Sequence, residues 1–266
     1  MDYDFGNKKQ YRRNIWAFVD RHCTKPIVDR KVLYLDTAKG GETLFLLNKG
    51  YKAENLFIVN FDENELLKLG DLLQSLKVGH INLCPMSIEH AVIVMSKAGH
   101  FIDVYNFDFM SNITNDMVRD TLRTTARIIS KDCIVGVNVL RGREAKWFKE
   151  RRKEDNPDWI RELEIKSSLS YDIKDDEGEE ECITHIIRQR NGIYKSSAGR
   201  QTMMWFVFKV MKHCVIDIGD LEDHLSKETD IEHGDIPQCY SSMYRKQIDD
   251  YVCNNLMRQV NENISN

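Results

Sequence analysis

The chain has 266 residues, 42% of them hydrophobic and four of them Trp, enough to bury one sizeable core with at most a small appendage. Lys and Arg number 38 against 42 Asp and Glu, and this near balance excludes a global field that would draw in nucleic acid or an anionic membrane. Any nucleic-acid contact would need a local basic surface.

Residues 1–30 carry Ile15-Trp16-Ala17-Phe18-Val19 in a polar frame, which predicts a leading helix closed near Pro26, packed on a sheet edge or serving as a lid. The N-terminus lacks the apolar stretch of a secretory signal. No run approaches the ~18 apolar residues of a membrane span. A soluble, cytoplasmic protein is expected.

The stretch from Lys31 to Leu67 carries the most information. Val32-Leu33-Tyr34-Leu35 is a compact β-prone run stopped by Asp36, and Gly40-Gly41 follows. Leu56-Phe57-Ile58-Val59 is a second such run, stopped by Asn60-Phe61-Asp62-Glu63. Two strands joined by a helical crossover of this length form a right-handed parallel unit. Ligands of such sheets bind at the carboxyl ends of the strands, where these polar residues stand.

The rhythm continues. A Leu-rich helix over 66–76 leads to a strand at Ile81-Asn82-Leu83-Cys84, stopped by Pro85. Ser87 is placed to cap a helix that runs to Ala98. Phe101 to Asp108 gives a fourth strand ending in a carboxylate, and a helix from Asp116 to Ser130 leads to a fifth strand, Cys133 to Leu140. Alternation of this kind predicts an α/β fold, an open, doubly wound, mostly parallel sheet.

After Arg141 the pattern changes. RGREAKWFKERR (141–152) is basic with Trp147 and Phe148 interleaved, and residues 172–181 are an acidic run of the sort found in solvated loops and hairpin tips. Ile183–Arg190 and Thr202–Val210 predict a late antiparallel pair around a turn at Arg190-Asn191-Gly192. The domain reading is therefore an N-terminal helical segment (1–30), an α/β domain (31–212) and a C-terminal polar linker and helix (213–266). Seven scattered Cys without a CxxC pair argue against a disulfide framework or a structural zinc, and eight scattered His lack metal-ligand spacing. No metal is expected. GxxxxGK[ST], HExxH and GxSxG are absent.

Five β-α units followed by an antiparallel pair resemble the class I S-adenosylmethionine-dependent methyltransferase, or Rossmann-like, fold. KVLYLDTAKGGETL, LFIVNFDEN, INLCPMSIEHA and FIDVYNFDFMS stand where that family has its first four motifs. The resemblance implies S-adenosylmethionine as cofactor. Asp36 would hold its amino group, Gly40 and Gly41 would allow close backbone approach, Asn60 or Asp62 would take the ribose, and Met86 would lie on the adenine. Asp108 would orient the methyl acceptor or take its proton. Arg141, Arg143 and Lys146, directly after strand five, would contact phosphates of a nucleic-acid acceptor.

Each of these residues also has a plainer reading. Asp36, Asp62 and Asp108 are placed to cap helices, Met86 to fill a core, and the basic stretch to form a solvated helix with a buried Trp-Phe face. The chain also departs from the family pattern. Thr37-Ala38-Lys39 interrupts the first motif, Asn60 stands where an acid is usual, and Cys84 replaces an acid in the third. A methyltransferase is the leading expectation. The alternatives are a catalytically degenerate binding or regulatory protein, and a Rossmann-like enzyme for another adenosine-containing ligand.

Overall fold

The computed structural model describes residues 6–129, 132–142, 144, 148, 150, 157–169, 171–174, 180–195 and 201–212. The expected C-terminal linker and helix at 213–266 lie outside them, as do Arg143 and Lys146.

Helix α1 (Gly6–His22) precedes strand β1 (Val32–Leu35) and helix α2 (Gly41–Asn48). Then follow β2 (Leu56–Val59), α3 (Glu63–Ser75), β3 (Asn82–Cys84), α4 (Ile88–Lys97), β4 (Val104–Asp108), α5 (Asp116–Ile128) and β5 (Cys133–Leu140). The remainder comprises α6 (Pro157–Leu169), β6 (Tyr171–Lys174), β7 (Glu180–Lys195) and β8 (Thr202–Lys212). The eight strands form one sheet in the order β3-β2-β1-β4-β5-β8-β7-β6. The first five are parallel, and β8, β7 and β6 add on antiparallel.

Side chains alternate between the two faces, as strand geometry requires. Val32 and Tyr34 of β1, Val104 of β4, Ile134 of β5, and Trp205 and Val207 of β8 pack with apolar residues of α1, α2 and α3. Leu33, Tyr105, Phe107, Val135 and Phe206 face the other way, onto α4, α5 and α6. The expected leading helix is part of this core: Tyr11, Ile15, Trp16 and Val19 are buried in the first layer.

Two expectations need correction. Arg190-Asn191-Gly192 is not a turn but the middle of β7, with Gly192 in register with Trp205. Asn-Gly is a strong hairpin signal, but here the glycine makes room for the indole across the ladder. Helix α6 is absent from the sequence reading, although Pro157 at its first position and the buried Ile160, Ile165 and Leu169 mark a helix.

The chain leaves β1 outward to β2 and β3, then returns to the opposite side of β1 to lay down β4 and β5. Winding therefore reverses between β1 and β4. In an open α/β sheet the crevice for a ligand opens outside the carboxyl ends of that strand pair.

Candidate functional site

Asp36 follows β1 and is almost fully buried. Its carboxylate accepts from the Thr37 amide (2.8 Å), the Glu42 amide (3.1 Å), the Thr43 amide (2.8 Å) and the Thr43 hydroxyl (2.7 Å). Residue Gly40, with φ of 58°, has no side chain to cap α2, so Asp36 satisfies the first free amides of that helix. Burial pushes the Asp36 carboxyl up, and the Thr43 and Thr37 donors pull it back. The helix-capping reading thus accounts for the hydrogen bonds of this carboxylate to Glu42 and Thr43.

The glycine turn is closely packed. A Cβ at Gly40 would stand 2.8 Å from Leu69 Cδ1, and one at Gly41 would stand 3.2 Å from Nη2 of Arg12. Gly40 donates to the Thr37 carbonyl (2.8 Å), and Glu65 accepts from the Ala38 amide (3.0 Å).

Glu42, which no motif singled out, is the hub beneath this turn. Its buried carboxylate accepts from Arg12 Nε (2.6 Å), Trp16 Nε1 (2.5 Å) and Asn106 Nδ2 (3.4 Å). One acid therefore joins α1, α2 and β4. Burial pushes its carboxyl up, opposed by Arg12 and then Trp16.

At the end of β2, Asn60 is half-buried, donates through Nδ2 to the Asp36 carbonyl (2.8 Å) and accepts from the Asp62 amide (2.9 Å). It ties the first two strand ends together. Asp62 is exposed and accepts from the Asn64 amide (2.9 Å) as the cap of α3. Met86 does not join the crevice: it is buried with Cys84 in the apolar layer against α4, as core filler. Burial pushes the Cys84 thiol up to about 12, so it is no thiolate at neutral pH.

Asp108 ends β4 and stays half-exposed. It does not cap α5, whose cap is Asn115. Its register partner on β5 is Asn138, fully buried, whose Nδ2 lies 2.5 Å from Asp108 Oδ1 and 2.6 Å from the Tyr194 hydroxyl. The Asn138 Oδ1 is buried without a partner among the described residues. Tyr194 stacks on Tyr11 of α1 at 5.1 Å, and the Tyr11 hydroxyl reaches Asn106 Oδ1 at 3.5 Å. Burial, followed by the negative charge of Asp108, pushes both phenols up, so both stay protonated at neutral pH. Asn106 finds room because a Cβ on Gly136 would stand 2.9 Å from its Oδ1.

The structure therefore brings Asp36, Gly40, Gly41, Asn60 and Asp108 to the ends of β1, β2 and β4, around the winding reversal. It adds Arg12, Glu42, Asn106, Asn138 and Tyr194. Polar residues inside apolar strands, Tyr105-Asn106-Phe107 and Val137-Asn138-Val139, were the signal that could have found two of these. Arg141 is partly engaged: its Nε and Nη2 donate to Asp158 at 2.9 Å each. Among the described residues no group of three or more His, Cys, Asp or Glu could hold a metal ion, and no helix is long and apolar enough to cross a membrane.

The sheet order and the face assignments decide the architecture. It is an open, doubly wound, Rossmann-like α/β sheet with five parallel strands and a late antiparallel addition. No protein-family model matches the chain, and no curated protein is similar to it in sequence. Solved structures do align with it. Among them is M. jannaschii TYW2 in complex with AdoMet, at 11% identity and TM-score 0.45 over 80% of this chain and 79% of that one. An S-adenosylmethionine-dependent methyltransferase from Agrobacterium tumefaciens aligns at 11% identity and TM-score 0.46, over 78% of this chain and 63% of the other. TrmN from Thermus thermophilus aligns at 11% and 0.45, covering 74% and 48%. Fold likeness this distant does not fix an activity, which has to be read from the chain's own side chains.

Proposed function

We propose that this chain is an S-adenosylmethionine-dependent methyltransferase, with nucleic acid as the acceptor class. The observation that carries the reading is Asp108, a half-exposed carboxylate at the end of β4, across the winding reversal from the Gly40-Gly41 turn after β1. The Gly turn would take the amino-acid end of the cofactor, with Asp36 holding the turn in shape. Asn60 and Asp62 would meet the ribose. S-adenosylmethionine, when bound, supplies an electrophilic methyl group. Asp108 would orient the acceptor and take its proton on the carboxylate, while Asn138 holds Oδ1 in place. Arg141, with Arg143 and Lys146, would meet acceptor phosphates.

One observation favours a second reading, a methyltransferase fold retained for binding or regulation alone. The hydrogen bonds of Asp36 run to its own helix, and Leu69 packs against Gly40. Calorimetric titration with S-adenosylmethionine and S-adenosylhomocysteine tests both. Saturable heat is expected, and none at millimolar ligand with folded protein would overturn cofactor binding. Binding without transfer to RNA, DNA or protein in a labelled-cofactor screen would favour the second reading.

A further inference from the structure

We infer that the Tyr194 hydroxyl is the donor that positions the methyl acceptor, and that the group it meets carries an accepting atom, a ring nitrogen or a carbonyl oxygen of a nucleobase. The inference rests on the proposed transfer to nucleic acid and names the part of the acceptor that is held.

Three strands meet at this point. Asn138 is fully buried on β5, Asp108 ends β4, and Tyr194 stands one residue before the end of β7. The Asn138 Nδ2 lies 2.5 Å from Asp108 Oδ1 and 2.6 Å from the Tyr194 hydroxyl. A carboxylate oxygen accepts and does not donate, so the nitrogen of the amide has to face it. Both hydrogens of that nitrogen are then committed, one to Asp108 and one to Tyr194. This holds whatever else Asp108 meets. The phenol oxygen accepts from Asn138, and its own proton is left to point elsewhere.

No acceptor for that proton stands among the described residues. The ring itself is fixed: it stacks on Tyr11 at 5.1 Å with 17° between the planes, and it packs against the buried layer that holds Trp16 and Trp205. Burial, then the charge of Asp108, pushes the phenol up, so the proton stays on at neutral pH. Tyr194 and Asp108 are both partly exposed, which leaves this corner open to solvent. A second, separate observation is the Asn138 Oδ1, buried without a donor. The amide serves Asp108 and Tyr194 while its own oxygen goes unanswered, which costs stability. A half-buried tyrosine ordinarily gives its O–H to a partner. Here the fold holds the donor still and supplies nothing to receive it, the arrangement of a donor set in advance for a ligand.

The chemistry of that ligand follows. A lysine ammonium or an arginine guanidinium carries donors only and cannot take the Tyr194 proton. Base edges present ring nitrogens and carbonyl oxygens. A base held through such an atom would lie beside Asp108, because one nitrogen holds both the carboxylate and the phenol.

The test is steady-state transfer of labelled methyl groups by the full chain to total cell RNA, genomic DNA and a protein extract, beside calorimetric titration with S-adenosylmethionine. Label should enter nucleic acid. In Tyr194→Phe, which keeps the ring, the KM for that nucleic acid should rise about three- to tenfold, the range for one neutral hydrogen bond, with cofactor affinity unchanged. A purely structural role would not single out the acceptor KM. An unchanged KM, or a loss confined to cofactor affinity, would overturn the inference and leave the cofactor reading standing. Label found only on lysine or arginine side chains would do the same. Should Tyr194→Phe not fold, 3-fluorotyrosine at this position, a stronger donor of nearly the same size, must lower that KM instead. No heat with folded parent protein, or no transfer to any of the three pools, would overturn the proposed function itself, and this inference with it.

Discussion

The indole of Trp205 occupies the space where a side chain on Gly192 would stand. The two are register partners on β8 and β7, and a Cβ on the glycine would lie 2.8 Å from three atoms of the ring. The same indole lies 6.3 Å from the ring of Tyr11 on α1, so a small residue on a late strand shapes the wall of the candidate site.

Gly192→Ala should push the indole toward Tyr11 and cost about 1–3 kcal/mol, the usual range for overpacking a filled core. Denaturant unfolding would give the loss, and a changed near-ultraviolet dichroism would report the displaced aromatics. A variant with native stability and native dichroism would contradict this packing.

Asp36→Ala should destabilise the fold. Residues Glu42 and Thr43 would lose the acceptor for their amides, and the loss of such a cap costs about 0.5–2 kcal/mol. The four hydrogen bonds to its carboxylate match the helix-capping reading of the sequence. A thermal midpoint unchanged from the parent would contradict it.

His100 should make the protein less stable in mild acid. Its ring lies 5.2 Å from that of Phe57 and its Nδ1 lies 3.4 Å from Lys31 Nζ. Burial first, then the charge of Lys31, lowers its pKa in the folded state. The unfolded chain therefore takes up the proton first, as pH falls through about 6.5. Stability from this group is present above that pH and is lost as pH falls toward the folded value. Urea unfolding across this range should show the slope in the parent and a weaker one in His100→Gln.

Asp108→Asn should lower turnover by about 100-fold or more, once an acceptor is in hand. The loss in cofactor affinity should be only a few-fold, because the removed charge is half-exposed. Full turnover in the variant would defeat the catalytic role given to this carboxylate.

How much of this was legible follows from where each signal lies. Buried runs stopped by polar residues marked β1, β2 and β4, and with them the positions of Asp36, Asn60 and Asp108. Capping chemistry marked Ser87, which accepts from the His90 amide at the start of α4. Glu42 was invisible because its partners lie far away in sequence: Arg12 is 30 residues upstream and Asn106 is 64 downstream. A local pattern cannot show that an acid in a helix meets an arginine from another helix. Gly192 misled for a similar reason, since its dipeptide belongs to turns and only Trp205, across the ladder, makes it a strand residue. Met86 could be read either way until the packing around it was known.

The hydrogen bond from Tyr11 to Asn106 spans 95 residues, and the stack of Tyr11 on Tyr194 spans more. Helix α1 is thus secured by strands that lie much later in the chain. Until β4, β7 and β8 have paired, Arg12 and Trp16 of α1 have Glu42 and Tyr51, while Tyr11 lacks Asn106, Tyr194 and Trp205. Contacts of such sequence separation are paid for in chain entropy before they give anything back, which slows assembly. Helix α1 precedes every strand that completes its packing, so its burial is finished only when the late strands have joined the sheet.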